Sequence, residues 1–167
     1  DTVAHLFQND NATEGRYGEY NTTGNLGAPR TPRLYNGNQD YAMASQFVFD
    51  KPYGFVLNSV RDCAFTNTKS PITNLSYMTQ GNKTNGDDRL RVLFATNAGK
   101  RTGLGFKVDY LYGRGYFSQQ QQSSIASKIF ASHRGEKYQM HTYYLLDRTK
   151  NAENGGLEDD LYIKQPD

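Results

Sequence analysis

The sequence predicts an all-β fold, an antiparallel up-and-down transmembrane β-barrel of which this chain supplies the first strands. Three observations indicate this fold. Apolar and polar residues alternate with a period of two, the breaks between the alternating segments are short and long in turn, and no apolar run of about 18 residues could form a membrane helix.

Three segments between residues 90 and 146 carry the alternation. In the clearest of them, Leu104, Phe106 and Val108 alternate with Lys107 and Asp109. Successive side chains of a strand point to opposite faces, so each segment has one apolar face and one face that tolerates charge. We expect spanning strands over residues 72–79, 88–97, 103–113, 124–133 and 137–147.

The breaks between the strands favour a barrel over a soluble sheet. Residues 97–102 and 132–136 are short and contain Gly, whereas residues 79–88, 113–124 and those after 148 are longer and polar. Outer-membrane barrels have tight turns on the inner side and long loops outside. A soluble β-sandwich is the alternative, although its strands usually run for only about 5 to 6 residues.

Composition agrees with a barrel and excludes several other classes. The chain has 13 Tyr and 9 Phe, and tyrosines near strand ends suit an interfacial aromatic girdle. Its mean hydropathy of −0.81 fits strands of which half the residues face a wet lumen. A net charge of +2 without a basic stripe gives no reason to expect a nucleic-acid partner. The single cysteine, Cys63, has no zinc-ligand spacing around it.

The N-terminal part has a different composition from the rest. We interpret residues 1–44 as an irregular extended N-terminal lead-in and residues 45–167 as antiparallel β-barrel strands. Pro29 and Pro32 disfavour a helix and a central strand in the lead-in. The short apolar runs 45–49 and 54–58 are expected to form a small hairpin, or a wall or plug at the periplasmic end of the barrel.

Four strings of residues, in this order and approximate spacing from about residue 20 onward, resemble the N-terminal part of the putative porin family of Bacteroidetes-type outer membranes. The resemblance implies a β-barrel in the cell outer membrane and carries over no catalytic residue or substrate. The strings are Asn25-Leu26-Gly27-Ala28-Pro29, the stretch from Phe65 to Tyr77, Gly103-Leu104-Gly105-Phe106, and the stretch from Asn151 to Asp160.

Five strands cannot close a barrel in lipid. Single-chain outer-membrane barrels have an even number of strands, from about 8 upward, because an open edge leaves backbone groups unpaired. We therefore expect these residues to belong to a longer protein.

Candidate functional residues come from the face that tolerates charge, which we expect to line a lumen. Their charges have both signs, which predicts weak ion preference at most. His141 could act as a general base, but we interpret it as a polar lumen residue. We expect no catalytic residue, no cofactor and no metal site, and therefore no enzyme. The expected lumen-facing residues are Arg89, Arg91, Lys107, Asp109, Gln139, His141 and Asp147.

Three classes of function fit these patterns. The first is a porin that allows passage of small solutes. The second is a non-conducting outer-membrane barrel that acts as a binding or scaffold component of a larger surface assembly, and the third is an enzyme at the barrel rim. We favour them in this order, with outer-membrane lipid and other outer-membrane proteins as the expected partners.

Overall fold

In the residues that it describes, the computed structural model contains two antiparallel sheets, one of five long strands and one of two short strands. It describes residues 17–22, 24–34, 51–60, 63–82, 85–115, 117, 119–153 and 155. The elements in chain order are β1 (Tyr20–Thr22), β2 (Arg30–Pro32), a 3-10 helix (Lys51–Tyr53), β3 (Ile72–Gln80), β4 (Asp87–Asn97), β5 (Thr102–Arg114), β6 (Gln121–Arg134) and β7 (Gln139–Ala152). Within this part of the chain, no helix is both long and apolar enough to cross a membrane.

The five long strands form an up-and-down sheet in the order β3-β4-β5-β6-β7, and each strand pairs antiparallel with the next. The sheet is not closed, since β3 and β7 are its two edges. The all-β, antiparallel, up-and-down fold that the sequence predicts is therefore confirmed, with all five expected strands present, and the open sheet is consistent with part of a barrel.

The strands are longer than the alternating pattern predicts. β6 and β7 each have 14 residues, and their pairing continues through polar residues such as Gln121, opposite Ala152, and Gln122, opposite Asn151. Backbone hydrogen bonds do not depend on the side chain, so the ladder extends beyond the apolar stretch. The predicted long loops, 79–88 and 113–124, shrink accordingly to residues 81–86 and 115–120. They remain only slightly longer than the turns at residues 98–101 and 135–138.

Register divides the residues of the sheet between two faces, which β5 defines. The apolar face carries its even-numbered residues from Leu104 to Tyr112, and the polar face carries its odd-numbered residues from Gly103 to Gly113. Directly opposed residues of neighbouring strands lie on the same face. One row across the apolar face reads Leu75, Val92, Val108, Ser127 and Leu146, and the next reads Thr73, Phe94, Phe106, Ile129 and Tyr144.

The apolar face is the more exposed of the two. Among its residues, Leu75, Ile129 and Leu146 are 68%, 60% and 58% exposed. Along β4, β5 and β6 the polar face is instead covered, and Arg89, Lys128 and Ser124 on it are all buried. Soluble proteins arrange their sheets in the opposite way, with apolar side chains inward and charged ones in water.

Residues that precede the sheet cover the polar face. β1 and β2 form a short hairpin in which Tyr20 pairs with Pro32, so the lead-in is less irregular than the sequence predicts. Pro32 fits there because a two-stranded hairpin consists of edge strands, which tolerate proline. A second segment, residues 53–60 and 63–68, runs along the polar face, and we call it the strap. Residues 45–49 lie outside the described residues.

Residues 54–58 form part of the strap and lie on the polar face. Val56 packs on Leu111, near the end of the sheet that carries the connections 81–86 and 115–120. The sequence predicts a small hairpin, or a wall or plug at the periplasmic end, for residues 45–49 and 54–58, and it predicts that the longer connections lie outside the cell. Which end of the sheet faces the periplasm stays a prediction.

Candidate functional site

All seven residues expected to line a lumen lie on the polar face. One row across the sheet contains Arg91, Asp109, Ala126 and Asp147, and the next contains Leu93, Lys107, Lys128 and Leu145. Register therefore brings most of the charged positions together near mid-sheet. Gln139 and His141 lie apart from them, near the short turn at residues 135–138. That this face lines a lumen stays a prediction.

Arg89 and Asp109 form a shielded ion pair on this face. The Arg89 Nε and Nη2 atoms donate to the two carboxylate oxygens of Asp109 at 2.9 and 2.8 Å. Both side chains are largely shielded, with 10% and 14% of their surface exposed. A planar guanidinium matches a carboxylate in this two-bond geometry, so the pair fixes both side chains and neutralises both charges locally.

Lys128 is a charged residue of the polar face that sequence reasoning missed. It lies directly opposite Lys107, and its ammonium nitrogen is 5.5 Å from the centre of the Phe130 ring. The alternation in β6 is weak because Ala126 and Ser127 are both small, so the pattern alone did not assign a face. Ile125 and Ile129, each an odd number of positions from Lys128, are the signal that could have identified it.

At the end with the longer connections, the lead-in docks on the polar face through backbone and side-chain contacts. The backbone N–H of Leu26 donates to Asp87 Oδ2 at 3.3 Å, and Asn25 Nδ2 donates to the Gly113 carbonyl at 3.4 Å. Leu26 and Val56 pack on Leu111 to form a small apolar cluster. A Cβ atom on Gly27 would lie 2.6 Å from the Leu111 side chain, so a larger residue there would force that side chain to shift.

At mid-sheet the strap is held by Asn58. Its backbone N–H donates to Asp147 Oδ2 at 2.8 Å, and its side-chain Nδ2 donates to Asp147 Oδ1 at 2.6 Å. The same Nδ2 also donates to the carbonyl of Ser127 at 3.1 Å. Asn58 therefore attaches the strap to both β6 and β7, and two of its bonds are strengthened by the charge of the acceptor.

At the end with the short turns, four further contacts hold the strap. The Phe65 ring packs edge-on against Phe130 and His141, with centroid distances of 6.2 and 4.8 Å. The Asn97 side chain joins the strap by accepting from the Thr68 backbone N–H at 3.1 Å and donating to Asn67 Oδ1 at 2.6 Å.

Gly103 allows the close approach at this end. A Cβ atom there would collide with the Thr66 carbonyl oxygen. Gly103 is the second residue of β5, so it lies at the end where the sequence predicts that this strand begins.

Tyr53 and Asn151 complete the attachment at the opposite end. Asn151 Nδ2 donates to the Tyr53 hydroxyl oxygen at 2.9 Å. Partial burial, together with the nearby Glu153 carboxylate, raises the pKa of the Tyr53 hydroxyl. This group is therefore neutral at physiological pH. In the part of the chain that the structure describes, no three His, Cys, Asp and Glu side chains come close enough together to bind a metal ion.

Two of the strings that resemble the porin family are contact points on the polar face. Asn25, Leu26 and Gly27 dock at one end of the sheet, and the stretch that begins at Phe65 docks at the other.

Comparisons with known proteins identify the family of this chain. A family model described as putative porin covers residues 1–167, the whole chain. No curated protein and no solved structure matches the chain significantly. The resemblance seen in the sequence is confirmed, and the chain belongs to the putative porin family.

Proposed function

We propose that this chain is part of an outer-membrane β-barrel through which small solutes pass, with the polar face lining the pathway and the apolar face against lipid. The observation that carries the proposal is the exposure of the two faces. Leucine, isoleucine and tyrosine side chains are open on one face, while the lead-in and the strap cover charged side chains on the other. A large exposed apolar surface is a liability in water and an advantage in hydrocarbon.

The dimensions of the apolar face fit a bilayer. From Leu104 to Tyr112 a strand rises about 27 Å, which is about 21 Å along the membrane normal at a tilt of about 40°. The apolar band of outer-membrane barrels is about 25 Å tall. The apolar band is slanted relative to the rows of paired residues. In the row that contains Leu90, Tyr110 and Ile125, the residue of β7 is the charged Arg148, so the apolar part of β7 lies closer to the short turns than that of β4. Such a slant is expected of strands that are tilted in the membrane.

The charges on the polar face support passage of small polar solutes with little ion preference. Arg91, Lys107 and Lys128 are cationic, whereas Asp87 and Asp147 are anionic, and Arg89 is neutralised by Asp109. A pathway with both signs of charge has no strong electrostatic barrier to either anions or cations.

Reconstitution of the full-length protein in planar bilayers tests this proposal. We expect discrete current steps in simple salt, with an anion-to-cation permeability ratio close to one. Circular dichroism in detergent provides the control for folding. A correctly folded, membrane-inserted protein that carries no current would contradict the porin proposal.

A non-conducting barrel that serves as a binding or scaffold component is the second candidate. The observation that favours it is the strap, which crosses the polar face from Tyr53, near one end, to Thr68, near the other. In this case the folded protein would stay closed at all potentials and would copurify with other outer-membrane proteins after mild cross-linking of whole cells. Robust conductance of the isolated protein would exclude this candidate.

A further inference from the structure

We infer that the strap is the constriction of the pathway, and that Asn58 on Asp147 is its central attachment. This inference rests on the proposed porin function and adds a structural element that restricts the flow. The strap contacts the polar face at three heights, through Tyr53, Asn58 and Asn67. A segment attached in this way occupies volume that the strands alone would leave open.

The attachments of the strap differ in kind along its length. Near Leu111 they are apolar, at Asp147 they are charge-assisted hydrogen bonds, and near Asn97 they are neutral hydrogen bonds. The Asp147 carboxylate accepts from both the backbone N–H and the side chain of Asn58, so one wall residue holds the strap at mid-height. Loss of this carboxylate removes both bonds at once.

The strap would affect passing solutes because it lies against the polar face, which forms the wall of the pathway. At Asp147 the strap covers one of the anionic side chains of the polar face. Its release would widen the pathway and would also return a carboxylate to solvent. A substitution of Asn58 in the strap releases the strap and keeps the charge of Asp147. A substitution of Asp147 releases the strap and also removes that charge. Comparison of the two substitutions therefore separates the effect of pathway width from the effect of charge.

The placement of the strap can be tested without measuring current. The full-length protein carries Asn58→Cys and Asp147→Cys in a background with Cys63→Ala and no other free thiol. The backbone nitrogen of Asn58 lies 2.8 Å from the Asp147 carboxylate, which brings the two positions close enough to test for a disulfide. We expect oxidation to protect both thiols from alkylation. The matched control replaces Arg148 instead of Asp147, because Arg148 lies on the opposite face and should leave its thiol free.

Single-channel recordings test the constriction itself. We expect Asn58→Ala and Asp147→Ala to increase the current step, and Thr149→Ala to leave it unchanged. Thr149 lies on the same face two residues away, and its hydroxyl is bonded to Ser124 of the neighbouring strand. The oxidised cysteine pair should keep the small step of the wild type, and reduction should enlarge it. Circular dichroism verifies that each variant folds.

The outcomes separate this inference from the proposed function. If the wild type conducts and release of the strap changes nothing, the constriction is wrong and the porin proposal stands. If the thiols at 58 and 147 stay free like those of the Arg148 control, the placement of the strap is wrong. If the disulfide forms but neither the wild type nor any released variant conducts, both proposals fail. A closed wild type that conducts after release supports both.

Discussion

Phe106 and Lys107 are neighbours in β5, yet they lie in opposite surroundings. Phe106 projects from the apolar face beside Phe94 and is 40% exposed, whereas Lys107 lies on the partly buried polar face opposite Lys128. The same contrast recurs across the sheet, because the lead-in and the strap cover only one of the two faces.

The difference shows which face of the sheet is covered by other residues of the same chain. The chain brings its own residues to the charged side of the sheet, where Asn58, Leu26 and Asn67 form hydrogen bonds. It supplies no comparable cover for the apolar side in its described residues. An apolar surface of this kind is stable when lipid covers it.

The largest effect is expected on the polar face, at the shielded ion pair. Asp109→Ala leaves the Arg89 guanidinium buried without its carboxylate, which should lower the free energy of unfolding by about 3 to 5 kcal/mol. Urea titration in detergent measures it. Glu136→Ala is the matched control, since its pair with Arg101 is mostly exposed and should contribute at most about 1 kcal/mol. Equal costs would mean that water reaches both pairs alike.

A charge on the apolar face should have the next largest effect. Phe106→Arg, or Val108→Arg, should cost about 2 to 4 kcal/mol if the residue lies near mid-membrane. Lys107→Gln should be nearly neutral, because a polar side chain replaces another on the polar face. The same titration in lipid vesicles measures all three variants. Equal tolerance of the two faces would contradict the assignment of their environments.

A smaller effect should separate two leucines of β5. Leu111 is 1% exposed and packs on Leu26 and Val56, so Leu111→Ala should leave a cavity that costs about 2 kcal/mol. Leu104→Ala should cost less, because fluid lipid can fill the space where protein cannot. Unfolding titrations of the two variants give the comparison. If Leu104→Ala proved the more damaging change, protein and not lipid would cover that face.

The smallest effect is expected in the connection between β5 and β6. A short epitope tag inserted after Phe117, whose side chain is 63% exposed, should leave the free energy of unfolding unchanged. We expect the tag to be labelled by an impermeant reagent on intact cells. Labelling only after the cells are opened would mean that this connection faces the inside of the cell envelope.

Local patterns in the sequence were sufficient to predict the strands. Residues such as Leu104, Phe106 and Val108 place the centre of β5 because the period of two is a local property of the chain. Local patterns also assigned the seven polar and charged candidate residues to one face, as the register shows. The strand ends were less predictable, since polar residues can continue a ladder that apolar residues begin.

Long-range contacts could not be predicted in this way. Asn58 and Asp147 are 89 positions apart, and nothing near either residue indicates the other. The same holds for Gly103 and Thr66, because nothing near either residue indicates that the two lie in close contact. The contacts between the strap and the polar face could therefore be identified only from the structure.

Two adjacent tyrosines allow the most direct test of the claim that lipid contacts one face only. Tyr143 lies on the polar face and is 43% exposed, whereas Tyr144 lies on the apolar face and is 63% exposed. Residues 1–167 contain no tryptophan, so Tyr143→Trp and Tyr144→Trp each introduce a single fluorophore, in full-length protein freed of any other tryptophan. In vesicles of brominated lipid, we expect strong quenching at position 144 and little at 143. Equal quenching at both positions, or quenching at neither, would contradict the claim that lipid contacts the apolar face and not the polar face.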